Sequence, residues 1–340
     1  MKKLFTSALV LALSLAATLA ASAQTTQTIR RVSLTATGTN IYATFALAQS
    51  AAANNDIIQM EPGTYGFDIT LTKPLVVVGP GYFLDLYTGA AALQANTTPA
   101  TVNTVFFNPG STGSSISGLT ASTVYVGTND VTVQRCNITY RLFLNYNSQV
   151  GGADVNNVNI RQNYINILGQ YTSGQTATNI LVTNNIITST IDLQYNTSGE
   201  FRNNVQPYTP SYSATLNNFN VVNNYFGYLY ATPTFSNCTV TYNAFRFASA
   251  PTAGNNQNNV VQTNVFPYAP GSTQYDAWFQ LKAGTNSLRG AGENGVDIGA
   301  FAGNAPYRLG GLPAIPSIYQ LSNSVSGNTL NVNLSTRSNN

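Results

Sequence analysis

Between Val131 and Phe266, apolar and polar residues alternate in short runs, and each run carries the same motif. An apolar residue, two variable residues and an Asn are followed, two positions on, by another apolar residue. The motif is complete in IRQNYI (Ile160 to Ile165), VTNNII (Val182 to Ile187), VVNNYF (Val221 to Phe226), VTYNAF (Val240 to Phe245) and VQTNVF (Val261 to Phe266). FRNNVQ (Phe201 to Gln206) departs from it at its last place, and VQRCNI (Val133 to Ile138) has Cys136 where the Asn belongs. The anchors Cys136, Asn163, Asn185, Asn204, Asn224, Asn243 and Asn264 are spaced by 27, 22, 19, 20, 19 and 21 residues. A period near twenty with strand alternation predicts one solenoid coil per repeat.

The register assigns faces. Counting from the anchor, positions minus five and minus three are mostly apolar, as in Val158 and Ile160 or Ile180 and Val182, and position plus two is Ile138, Ile165, Ile187, Phe226, Phe245 and Phe266. Alternation with period two points these side chains inward. The same parity places position plus four inside. There Tyr140, Ile167, Ser189, Tyr208, Tyr228, Phe247 and Tyr268 predict a largely aromatic internal column. Coils of about twenty residues have no room for an ordinary crossover helix, so each reads as strands joined by bends. An Asn amide has both acceptor and donors. Stacked about 4.8 Å apart, the amides of Asn163, Asn185, Asn204, Asn224, Asn243 and Asn264 are expected to bond along the stack and to the bend backbone. Cys136 is then the end of that ladder.

The flanks continue the pattern. Strands are predicted over Ile57 to Met60, Leu75 to Val78, Val105 to Phe107 and Val124 to Val126, and Thr44 to Ala53 reads as a short capping helix. Leu86 to Thr104 breaks the rhythm and reads as a projecting loop. The solenoid is expected to span residues 24–303. Residues 304–340 then form a Pro- and Gly-rich linker and two short strands, Ile318 to Val325 and Leu330 to Leu334, around a Ser-Gly-Asn turn. Two strands alone are marginal, so they are expected to pack back on the last coil or to dock on a partner.

Composition narrows the chemistry. Only 7% of the 340 residues are charged while 43% are hydrophobic, which excludes a disordered chain. There is no His, so a Ser-His-Asp hydrolase and a His-ligated zinc site are excluded. Lys2 and Lys3, an apolar run from Leu4 to Ala20 and the small-residue site Ala21-Ser22-Ala23 read as a leader over residues 1–23, hence secretion. Nothing after Gln24 is apolar for long enough to span a bilayer as a helix. Without Lys2 and Lys3, 12 basic residues stand against 11 acidic ones, a balance that argues against a nucleic-acid binder. Cys136 and Cys238 fall five coils apart, about 24 Å, so both are expected free and buried.

These motifs resemble the secreted right-handed parallel β-helix proteins, the superfamily that includes pectate lyases. The opening DIIQMEPGTY…LTKPLVVVGPG, the inward Asn at the bend and LRGAGENGVDIGAF (Leu288 to Phe301), similar to the closing segment of many such helices, carry the resemblance. YRLGGLPAIPSIYQL is similar to a continuation in β-helix proteins of Bacteroidota. The resemblance implies an all-β, right-handed parallel β-helix with an N-terminal cap and a C-terminal strand pair. It does not decide activity, because the superfamily holds lyases, hydrolases and proteins with no catalysis.

Function must therefore stand on residues. The three-Asp-plus-His pattern that the resemblance implies for a hydrolase is absent. Calcium needs several clustered oxygen ligands, and the acidic residues here are scattered, so no metal, cofactor or catalytic residue is assigned and calcium is optional. The best charged group is Arg161, Glu200 and Arg202, outward, with the two Arg at the same position two coils apart, or roughly 10 Å. It suits a carboxylate-bearing sugar, or it is an ordinary exposed ion pair. Tyr164 and Tyr225, read as outward at position plus one, are candidates to stack on sugar rings. The sequence therefore reads as a non-catalytic surface protein contacting an extracellular polysaccharide or cell-surface glycan, with a polysaccharide lyase acting on an acidic glycan as the alternative. Oligomeric state is left open.

Overall fold

The computed structural model describes residues 27–207, 213–228, 233–267 and 275–339. The leader and two members of the expected aromatic column, Tyr208 and Tyr268, lie outside the described residues. The fold is a parallel β-helix. One sheet runs its length in the order Ile41–Tyr42, Ile29–Val32, Ile57–Met60, Val76–Val78, Ser115–Ser117, Thr132–Gln134, Val155–Arg161, Ala177–Thr183, Thr197–Arg202, Phe219–Val222 and Thr239–Thr241. Its pairs are parallel, as coils stacked in one direction require. A second parallel sheet is built from the other strands of the same coils, among them Ala100–Phe107, Leu119–Val126, Asn137–Leu144, Tyr164–Gln170 and Ile191–Leu193. Among the described residues no helix is long and apolar enough to cross a membrane.

The inward positions are those the alternation picks out. Val131, Val133, Val158, Ile160, Ile180 and Val182 are fully buried, as are Ile138, Ile165, Ile187 and Phe245 at plus two. Thr44 caps the helix α1 (Phe45–Ala51) by accepting from the Leu47 N–H, and Phe45 and Ala48 plug the first coil.

The ladder is internal. The N–H of Asn163 donates to Oδ1 of Asn185 at 2.9 Å, and the same step repeats from Asn185 to Asn204, Asn204 to Asn224 and Asn224 to Asn243. Each Nδ2 also reaches back to a carbonyl of the preceding coil, as Asn204 does to Val182 at 2.8 Å. Cys136 caps the stack: its N–H donates to Asn163 Oδ1 at 2.9 Å. Asn264 is a correction. It lies exposed in a short helix, Gln262–Val265, and Asn256 takes the last rung by accepting from the Asn243 N–H at 2.8 Å. The final coil is only 13 residues long at this corner, so the motif in VQTNVF falls beyond the stack that would have ordered it.

The aromatic column is a second correction. Tyr140 is 47% exposed, and Tyr228 and Phe247 are half-buried. The chain turns again after position plus two. The register of Asn137–Leu144 against both neighbours slips between Ile138 and Arg141, and inward parity resumes at Leu142, Leu168 and Ile191. Both cysteines are free, as expected, with Cys136 buried and Cys238 only half-buried.

The last paired strand of the solenoid is Ala244–Phe245, with a single bridge to Gln257. The chain beyond it does not build coils up to residue 303; it runs back along the outside as a strap. The residues just before each anchor, Arg135, Gln162, Asn184, Asn203 and Asn223, all have left-handed backbone (φ between 51° and 60°). They turn their side chains outward, and the strap is bonded to four of them, Arg135, Gln162, Asn184 and Asn223, on successive stretches of the stack. Asn223 Oδ1 accepts from the Glu293 N–H at 2.8 Å. Asn184 Nδ2 donates to the carbonyls of Ala300 and Ala302, Gln162 Nε2 to Pro306 at 2.6 Å, and Arg135 Nη1 to Leu312 at 2.9 Å. Beneath the strap, outward residues Ile186, Val205, Tyr225 and Ala244 pack against Phe266, Leu288, Ile298 and Ala300. Gly311 (φ +55°) is needed where the strap meets the first coils, because a Cβ there would stand 2.1 Å from the Tyr82 ring.

Candidate functional site

Arg161 and Arg202 do share one outward column, with Thr183 between them. Arg161 donates through Nε to Gln134 Oε1 at 2.9 Å, on the coil away from Arg202. Arg202 is held by two carboxylates, Glu200 on its own strand and Glu293 of the strap at 2.7 Å. Burial alone would lower the Arg202 pKa; the bonds to Glu200 and Glu293 outweigh it and hold the guanidinium charged. The group thus contains its own counter-ions and pins the strap. Tyr225 is outward from the bore but wholly buried under that strap, donating from its hydroxyl to the Val260 carbonyl at 3.0 Å. It is not a surface ring. Tyr164 is half-buried and meets Phe83 edge-on at 5.2 Å; with Tyr275, Asn137, Thr139 and Asn166 these residues line a cleft of about 280 Å³.

The larger aromatic feature lies on the outer face of the second sheet. Phe106, Tyr125 and Phe143 are register partners on three successive coils. The Phe106 and Tyr125 rings stack at 5.3 Å with planes 10° apart. Tyr146 and Tyr171, from the turns at the ends of these strands, approach each other at 4.2 Å, and Tyr146 lies 4.6 Å from Tyr125. Tyr171 is half exposed. The column continues through Gly169 to Asp192. A Cβ at Gly169 would meet the Phe143 ring at 3.1 Å, so the missing side chain lets that ring lean across the next coil.

Arg141 sits among these rings, its guanidinium 3.7 Å from the Tyr140 centroid and 4.9 Å from that of Phe143. Such cation–π contacts leave the edge of the guanidinium free to bond. Its Nε is buried without an acceptor, and among the described residues no carboxylate lies within ion-pair distance of it. Burial raises the Tyr125 pKa despite the opposing pull of Arg141, so this phenol stays neutral. Burial likewise raises that of Asp192, against a bond from Gln194. The platform therefore offers stacked ring faces, phenol hydroxyls and one cation, with a carboxylate two coils away.

The motif centred on the Asn anchors does not mark this platform. Its signal is present: Phe106, Tyr125 and Phe143 recur at spacings of 19 and 18 residues, the solenoid period, but the first two precede the anchored repeats and Phe143 lies seven residues past the Cys136 anchor. Comparison with known proteins finds no matching family model, no matching curated protein and no matching solved structure.

Proposed function

We propose that this chain is a secreted β-helix surface protein that holds extracellular carbohydrate on the aromatic platform of its second sheet, without chemistry on it. The in-register rings of Phe106, Tyr125 and Phe143, widened by Tyr146 and Tyr171, carry this reading. Sugar rings present apolar faces and polar edges. Stacked aromatics with hydroxyls and a guanidinium beside them match both. A flat sheet with coils about 4.8 Å apart suits an extended chain of sugars more than a single ring. The leader over residues 1–23 and the resemblance to secreted pectate-lyase-like β-helices agree with an extracellular setting. The Arg161, Glu200 and Arg202 group and Tyr225 supply no sugar contact in this reading, since ion pairing and the strap already use Glu200, Arg202 and Tyr225.

A glycan-array screen tests it. The chain should bind a polysaccharide, and Tyr125→Ala and Tyr171→Ala should each weaken that binding about tenfold, or roughly 1.4 kcal/mol. Tyr171→Ala should leave the thermal midpoint nearly unchanged. Unweakened binding in the Tyr125→Ala, Tyr171→Ala double variant would move the contact elsewhere. An ultraviolet-absorbing unsaturated product released from an acidic glycan would replace the binding reading with that of a lyase.

A further inference from the structure

The C-terminal ribbon is rooted on the solenoid only at its base. Ser317–Ser326 and Thr329–Arg337 pair antiparallel with each other, and neither joins another sheet. The contacts at the base are the Ala95 N–H to the Ile318 carbonyl at 2.8 Å, Arg337 to the Ala92 carbonyl at 2.8 Å, and Asn339 to Ile315 at 2.8 Å. The ribbon is thus rooted on the loop after the early coils, not on the last coil.

Residues directly opposed in an antiparallel pair point to the same side. Leu321 opposes Leu334, Asn323 opposes Val332, Val325 opposes Leu330, and beyond an irregularity Ile318 opposes Thr336. The alternate pairs are Ser322 with Asn333, Ser324 with Asn331 and Ser326 with Thr329. One face is therefore apolar and the other is made of hydroxyls and amides. The six apolar side chains Ile318, Leu321, Val325, Leu330, Val332 and Leu334 are 43% to 74% exposed. A two-stranded ribbon is marginal by itself, and this one leaves most of its apolar face in water, although Ile318 and Leu321 at its base also line a cleft beside Met60 and Gln94.

We propose that this face is a homodimer interface, packing face to face on the same ribbon of a second copy. No charged residue occurs from Ser317 to Thr336, so the face selects no charged partner and is compatible with itself. Two sheets pack about 10 Å apart when their inner faces are apolar, and two such ribbons make a four-stranded sandwich. Each face offers on the order of 500 Å², so a pair buries about 1,000 Å², the lower limit for a specific interface. A two-fold contact uses one patch twice and closes, which fits a single patch of this size. Asn323, the one amide on the apolar face, lies at its middle. A two-fold axis there brings both Asn323 amides together, and their mutual bond fixes the register. This inference is independent of the carbohydrate reading.

Sedimentation velocity on the purified full chain tests it. The expected result is a reversible dimer across micromolar concentrations. Val332→Asp should weaken it at least about a hundredfold by placing a charge in the apolar contact. Asn331→Asp, on the polar face, should associate as the parent does. Both sites are exposed, and unchanged circular dichroism checks the fold. Under mild oxidation Asn323→Cys should give a covalent dimer and Ser324→Cys none. A parent chain that stays monomeric throughout this range overturns the proposal, as does a dimer that survives Val332→Asp.

Discussion

At the anchored corner of the central coils two adjacent residues do opposite things. The anchor Asn points into the stack, while the residue before it adopts left-handed backbone and points out. Asn tolerates that backbone better than other residues with a Cβ, which explains the paired Asn184-Asn185, Asn203-Asn204 and Asn223-Asn224. Asn224 accepts from the N–H and Nδ2 of Asn204 and donates to Phe201, Val222 and Asn243. Asn224→Ala should therefore cost about 3 kcal/mol or more in a denaturant titration, since it strands several buried groups at once. At the outward position two effects separate. Asn184→Ala loses two bonds to the strap and also strains φ, whereas Asn184→Gly loses only the bonds. Alanine should cost about 1 kcal/mol more than glycine by thermal unfolding. The inward ladder was legible because its residues keep the spacing of the apolar positions beside them. The outward partners were not, because nothing in an Asn shows which way its backbone turns.

The strap is the element on which stability depends most visibly. Its clasp is Asp276, wholly buried, which accepts from the Tyr87 hydroxyl, the Gly310 N–H at 2.7 Å and, at 3.4 Å, the Tyr307 hydroxyl. Burial raises the Asp276 pKa, although the bonds from Tyr87 and Gly310 oppose the shift. For an acid whose folded pKa exceeds its unfolded value, the contribution to stability is full below the unfolded value, about 4, and declines as pH rises through the folded value. Hydrogen-exchange protection of strap amides such as Ile298, Gly299 and Tyr307 should accordingly fall as pH climbs from acid towards neutral, and Asp276→Asn should flatten that dependence. Constant protection in the parent chain would show that the clasp does not titrate. Cys136 acts at the other end of the scale. Burial pushes its thiol up to about 12, so its contribution is complete below about pH 9 and is lost between pH 9 and 12. Cys136→Ala should remove part of the alkaline loss of stability seen in urea titrations. Leu288 to Phe301 reads naturally as a closing segment, yet its place along the side follows from the outward groups Asn184, Arg202 and Asn223 on three different coils, a relation that no local pattern carries.

Across the whole molecule the repeat made the solenoid legible, and it misled at both corners where the coil departs from simple alternation. One slip near Ile138 turned the expected aromatic core inside out, and the rings proposed to hold sugar lie on a face the motif does not mark. A bare solenoid unfolds as a chain of neighbours, each coil answering to the next. Here residues near Leu312 are bonded to Arg135 while Glu293 is bonded to Asn223, so distant coils share one covalent segment. Cleavage at a protease site inserted at Gly303-Asn304 should split a single unfolding transition into two, or lower its midpoint by several degrees. An unchanged transition would mean that the strap follows the coils without coupling them.

The strap also settles how the molecule answers to force. Peeling coils apart along the axis opens one row of hydrogen bonds at a time, as a zip does. A polypeptide lying along that same axis and fastened to successive coils behaves as a tie rod. Tension must shear these fastenings together before the coils they join can separate. A polymer held across several of these coils, as proposed, would load the tie rod when pulled along the axis, and the hold on the polymer should then yield before the fold does.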